Sequence, residues 1–201
     1  MHELRHGLPP PSLRRGSPVL YRRDALPRRC GGGCACLRPR CATPGAVGDS
    51  AYNRGVREGD PAPLPQVRDS VGHELDLRER AQTGWLVLFF YPKAGSPGCS
   101  LQARRYAALA DQFRRLGATV VGVSPDRAEA QCGFAERTGL TMVPDPQGAL
   151  ARAYGVRRFL GILSRDTVLV NREARVEQIW RRVNPLRDAD RVLAYLRTKA
   201  G

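Results

Sequence analysis

The chain reads as an α/β protein, a central mixed β-sheet flanked by helices behind a long N-terminal extension, and three features carry that reading. Leu86–Tyr91 is an unbroken apolar run, LVLFFY. It is too short to cross a membrane and too continuous for a strand with one wet face, so it predicts a central strand covered on both sides. A helix-spaced segment and a β-branched run, Ala118–Val123, follow it and complete a βαβ unit with a right-handed crossover. Toward the C-terminus, Ser164–Asn171 turns through Ala174 into Arg175–Arg182, an antiparallel return that makes the sheet mixed.

The first 55 residues are rich in Pro, Gly and Arg, lack a sustained period of two or 3.6, and hold few large apolar side chains. Disorder is expected from Met1 to about Gly55. This stretch carries ten Arg against Glu3, Asp24 and Asp49, half of the formal net charge of +14, so the remainder is only moderately basic. Lys occurs only at 93 and 199, and the joint excess of Arg, Pro, Gly and Ala reads as coding bias rather than a phosphate-binding face. Neither nucleic acid nor membrane is expected as a partner. Cys30, Cys34, Cys36 and Cys41 are too compressed for paired zinc knuckles, and no metal or cofactor is expected. A leader without function, or a start placed too far upstream, explains the segment equally well. No apolar h-region follows the early arginines, so the cytoplasm is the default location.

Further on, Gly72–Leu77 alternates polar and apolar and reads as a short strand, with His73 solvated. After the central strand, Pro92, Gly95, Pro97 and Gly98 force a turn. From Cys99, the residues Leu101, Tyr106, Leu109, Phe113 and Leu116 fall near helical spacing, and Gly117 stops the helix. The thiol thus sits in the first turn, where unpaired N–H groups and the positive end of the helix dipole favour the nucleophilic thiolate. A buried structural cysteine is the plain alternative. Beyond the second strand, Ser124-Pro125-Asp126 starts a helix that runs to Gly139 and carries Cys132. Thr141–Asp145 is a short strand, Ala149–Tyr154 a short helix, and Asp188–Leu196 a closing helix with Ala189, Val192, Leu193 and Leu196 inward.

Pro92-Lys93-Ala94-Gly95-Ser96-Pro97-Gly98-Cys99 resembles the active-site loop of peroxiredoxins, Pro-x-x-x-Thr/Ser-x-x-Cys, and FFYPKAGSPGCS is similar to the bacterioferritin-comigratory-protein, or peroxiredoxin Q, branch. Val56–Pro63 resembles the family's Gly-Asp-x-Ala-Pro opening, VVGVSPDRAEAQCGFAERTGL its matching middle segment, and Ser164–Asn171 the segment where an Arg precedes a strand. The resemblance implies a thioredoxin-like domain from about Val56 to Lys199, monomeric or dimeric, that reduces hydrogen peroxide or organic hydroperoxides. It assigns Cys99 as the attacking thiol, Ser96 as the hydroxyl that holds both peroxide oxygens, Pro92 as an apolar wall, and Arg165 as the cation over the thiolate and the leaving oxygen. The sulfenic acid so formed needs a second thiol, then thioredoxin or a similar reductant.

Here the chain departs from the pattern. A resolving cysteine often stands five residues after the first, where this chain has Arg104, and Gln102 replaces a frequent Glu. Cys132, on the following helix, is the resolving candidate, with an apolar-face structural role or an external thiol as alternatives. Two other functions stay open at this stage. A thiol–disulfide oxidoreductase would need a leading cysteine where Ser96 stands, and a non-enzymatic binding or chaperone protein would need no reactive thiol at all.

Overall fold

A computed structural model describes residues 55–200; the extension expected over 1–55, with its four cysteines, lies outside the described residues apart from Gly55. The first strands, β1 (Gln66–Arg68) and β2 (Glu74–Asp76), form an antiparallel pair whose connection is held by the Asp69 carboxylate, which accepts from the N–H groups of Val71 and His73. His73 is exposed, as expected, with Nδ1 3.3 Å from Asp69 Oδ2. Asp76 then caps helix α1 (Leu77–Thr83) by accepting from the N–H groups of Arg78 and Glu79 at 2.8 and 3.1 Å.

The central strand is β3 (Trp85–Phe90), followed by α2 (Pro97–Ala108), α3 (Ala110–Arg115) and β4 (Ala118–Ser124). The single helix expected from Cys99 to Leu116 is thus two. At Leu109 the backbone leaves helical geometry (φ −101°, ψ 4°) and its N–H is shared between the carbonyls of Arg105 and Tyr106, both at 3.2 Å. Tyr106, Leu109 and Phe113 all stay buried across this break, whereas Leu101 is exposed and takes no part in the core.

Helix α4 (Ala128–Thr138) leads into β5 (Thr141–Pro144), α5 (Ala149–Ala153), a small hairpin of β6 (Arg158–Phe159) and β7 (Ile162–Leu163), then β8 (Thr167–Val170), β9 (Val176–Trp180) and α6 (Asp188–Ala200). The main sheet has the order β5-β4-β3-β8-β9, parallel on the β4–β5 side of the central strand and antiparallel on the β8–β9 side. The mixed sheet and the C-terminal hairpin are as the sequence reading has them.

Strand alternation divides the interior in two. Leu86, Leu88 and Phe90 join Leu77, Ala81 and Tyr154 on one face of β3. Val87, Phe89 and Tyr91 join Cys99, Tyr106 and Leu196 on the other. Both faces are covered, which explains a strand without polar interruption. Each large side chain so buried stabilises the fold by about 1.5–3 kcal/mol. Among the described residues no helix is long and apolar enough to cross a membrane.

Candidate active site

The site lies where the polypeptide leaves the carboxyl end of β3. Tyr91 still pairs with the next strand, its N–H donating to the Val123 carbonyl at 3.0 Å, and Pro92 then ends the ladder because it has no N–H. Gly95, at φ +76°, makes the reversal that an L side chain would resist. Ser96 is the N-cap of α2 in extended geometry, its carbonyl accepting from the Ser100 N–H at 2.8 Å. Its hydroxyl makes no capping bond, so it stays available to a substrate. Pro97 occupies the first helical turn, where a missing N–H costs nothing, and Cys99 follows in that same turn with 1% of its surface exposed.

A second element supplies the cation. Arg165, in the segment entering β8, reaches across so that Nη2 donates to Cys99 Sγ at 3.3 Å, while its Nε is buried without a hydrogen-bond partner. A permanently charged guanidinium therefore faces the sulfur. Helix terminus and cation act on one sulfur.

Two polar networks, the first half-buried and the second buried, hold these pieces, and the sequence reading found neither. In the first, Asp126 Oδ2 accepts from the Ala94 N–H at 2.5 Å and from Ser124 Oγ at 2.8 Å, which pins the loop between Pro92 and Ser96. Gln131 bridges Ser124 Oγ to the Tyr91 hydroxyl, and burial raises that phenol so that it remains a donor. The second network gathers at Asp188, whose Oδ2 accepts from Gln102 Nε2, Tyr106 OH and Thr167 Oγ1. Burial pushes the Asp188 carboxyl above its ordinary value, and the same three donors pull it back. The Ser-Pro-Asp turn was a visible signal for Asp126, whereas Asp188 looked like an ordinary acidic residue opening a helix.

Cys132 lies buried on α4, its Sγ 4.0 Å from Glu136 Oε1. Cys99 and Cys132 are both thiols rather than halves of a disulfide. Arg104 is exposed at the position five residues after Cys99. A cavity of about 840 Å³ is lined by Gly155, Phe159, Ile162 and Asp166 among others, and by none of Pro92, Ser96 and Cys99. Among the described residues no cluster of His, Cys, Asp or Glu is arranged to hold a metal ion.

A thioredoxin-like sheet with a single thiol at a helix N-terminus, faced by a guanidinium, defines a thiol-based redox protein. Comparison with known proteins narrows that class. The AhpC/TSA family profile matches residues 58–179. Peroxiredoxin Bcp of Xanthomonas campestris is 38% identical over 141 residues, which span 65% of this chain and 87% of that protein. Peroxiredoxin Bcp of Bacillus subtilis is 31% identical over 64% of this chain and 87% of its own length. Among solved structures, peroxidoxin BcpB of Mycobacterium tuberculosis superposes with a TM-score of 0.66 at 32% identity, covering 70% of this chain and 96% of that one. Peroxiredoxin Q of Xanthomonas campestris gives 0.62 at 33% identity, covering 70% and 98%. The chain belongs to the AhpC/TSA family, within the Bcp or peroxiredoxin Q branch of the peroxiredoxins.

Proposed function

We propose that this protein is a cytoplasmic thiol-dependent peroxidase that reduces hydrogen peroxide and organic hydroperoxides at Cys99 and is recycled by thioredoxin or a similar thiol reductant. The observation that carries the proposal is the 3.3 Å approach of Arg165 Nη2 to Cys99 Sγ in the first turn of α2. A solved Xanthomonas campestris bacterioferritin comigratory protein, 33% identical with a TM-score of 0.62, is described for its alkyl peroxide reduction activity, which supports the same substrate class here.

The Cys99 thiolate attacks one oxygen of ROOH in line with the O–O bond. The S–O bond forms, the O–O bond breaks, and the leaving alkoxide takes a proton to depart as ROH. Arg165 stabilises charge on that leaving oxygen, and the Ser96 hydroxyl, donor and acceptor at once, aligns the two oxygens. Pro92 keeps a water-binding N–H out of the loop. Cys99 is left as a sulfenic acid. A second thiol then displaces water from its sulfur to give a disulfide, and a dithiol reductant restores both thiols. A dithiol-exchange enzyme is disfavoured because residue 96 is Ser where the leading cysteine would stand. Consumption of hydrogen peroxide and of an alkyl hydroperoxide by the full chain with thioredoxin and its reductase tests the proposal. No consumption above the reductase blank overturns it.

Cys132 is our choice for the second thiol. Helices α2 and α4 pack together, and both sulfurs are buried. One equivalent of peroxide is expected to leave an intact mass lower by two hydrogens, with peptides holding Cys99 and Cys132 joined. A mass higher by one oxygen that persists until an external thiol is added would assign resolution to that thiol.

We place the whole function in residues 56–199. Deleting Met1–Gly55 is expected to change neither turnover nor thermal midpoint, because every residue assigned to the site lies beyond it. A truncated protein that oxidises once and then stalls, while the full chain cycles, would put the resolving thiol among Cys30, Cys34, Cys36 and Cys41.

A further inference from the structure

The nucleophile and its cation sit on elements that have no covalent reason to stay in register. Cys99 belongs to α2 and Arg165 to the segment entering β8, 66 residues later. One buried carboxylate oxygen touches both elements. Asp188 Oδ2 accepts from Gln102 Nε2 at 2.7 Å and from Tyr106 OH at 2.8 Å, two side chains one turn apart on α2, three and seven residues past Cys99. The same oxygen accepts from Thr167 Oγ1 at 2.8 Å, two residues past Arg165. Asp188 itself stands in the first turn of α6, and its N–H donates to the Asn184 carbonyl at 3.0 Å.

Asp188 and Gln102 are both buried, with 1% and 0% of their surface exposed, and Asp188 Oδ1 and Gln102 Oε1 have no hydrogen-bond partner. Burying unsatisfied polar atoms costs folding energy. An apolar side chain would serve stability alone at least as well. What an apolar side chain would not supply is a three-way junction with fixed angles.

We propose that Asp188 is a positioning residue for the reaction at Cys99: its carboxylate clamps α2 to β8 and thereby sets the sulfur against the Arg165 guanidinium. This rests on the reading of Cys99 as the attacking thiol. Asp188 touches neither thiol nor peroxide; it acts through Gln102, Tyr106 and Thr167. Removing it leaves α2 and α6 joined at the surface by Arg105 and Asp190, so the helix stays docked while its N-terminal turn loses its anchor.

Four variants of the full chain test the clamp: Asp188→Ala, Asp188→Asn, Thr167→Val and, as a stability control, Leu196→Ala at the other end of the same helix. The readouts are the single-turnover rate of Cys99 oxidation by hydrogen peroxide, the rate of Cys99 alkylation by iodoacetamide, and the thermal midpoint. Asp188→Ala is expected to slow oxidation by roughly ten- to a hundredfold, the cost of an ångström-scale misplacement. Alkylation, which needs an accessible sulfur but no aligned peroxide, is expected to rise as the first turn loosens. Asp188→Asn keeps an acceptor oxygen in place and is expected to recover most of the oxidation rate, and Thr167→Val to fall between Asn and Ala. Leu196→Ala is expected to lower the midpoint and leave the oxidation rate at the wild-type value.

A folded Asp188→Ala protein that oxidises at the wild-type rate overturns the clamp, and so does a Leu196→Ala protein slowed as much as Asp188→Ala. Should Asp188→Ala not fold, wild-type oxidation and alkylation rates in Thr167→Val overturn it instead. If the wild-type Cys99 is not oxidised by peroxide at all, the peroxidase reading itself falls, a result distinct from all of these.

Discussion

Replacing Cys99 with Ser is expected to bring peroxide reduction down to the uncatalysed background, a loss on the order of a thousandfold or more, as when other enzymes lose their nucleophile. The substitution removes one property and keeps the rest. A serine hydroxyl does not ionise near neutral pH, so the positive helix terminus and the Arg165 guanidinium have no anion to stabilise. The volume change is small, and the hydroxyl can still accept from Arg165 Nη2, which lies 3.3 Å from the native sulfur. The fold is therefore expected to persist with a thermal midpoint within about 4 °C of wild type, the shift that goes with roughly 1 kcal/mol in a domain of this size. Steady-state peroxide consumption and a melting curve on the same sample check both halves. A Cys99→Ser protein that retains a substantial share of the rate would move the chemistry to another residue.

Arg165→Lys, which keeps the charge, is expected to lower the second-order rate with peroxide by roughly 100- to 1,000-fold, the range found when a transition-state hydrogen-bond donor is lost. The reason is shape. The guanidinium lies against Gly98, where a Cβ would come within 2.8 Å of Nη2 and push the guanidinium from its present place. A lysine offers a strongly hydrated point charge and no planar fork, so it cannot face the sulfur and the leaving oxygen together. Stopped-flow rates with hydrogen peroxide and with an alkyl hydroperoxide measure the effect. Wild-type rates in the lysine variant would show that charge alone suffices.

The same two residues show what a sequence can and cannot yield. Cys99 was legible from local grammar: six apolar residues, a Pro/Gly turn, then helical spacing. Arg165 was not, being one of 31 arginines in a sequence with nothing locally unusual around it, and only the peroxiredoxin resemblance singled it out. The structure puts its guanidinium on the sulfur. Helix α1 escaped the reading because seven residues with only Leu77 and Ala81 buried give too short a stretch for a period to register. The split at Leu109 escaped it because the apolar spacing runs unbroken across the junction. The bonds made by the carboxylates of Asp126 and Asp188 were hidden for a different reason, although the Ser-Pro-Asp turn marked Asp126 itself. Their partners, Ala94 and Gln102, lie 32 and 86 residues away, and no local pattern encodes such an approach.

The position of Arg165 so far along the chain also bears on how the protein is born. The ribosome releases Cys99 long before the residues that make it reactive, and at 5–20 residues per second the 66 intervening residues take roughly 3 to 13 seconds to add. Over that interval β3 can pair with β4, but its other neighbour, β8, does not yet exist. A nascent chain therefore carries the thiol without its guanidinium, and without the Asp188 junction, which arrives later still. With Cys99 and Arg165 in the roles proposed above, a nascent chain that ends before Arg165 is expected to react with peroxide more slowly than the folded protein.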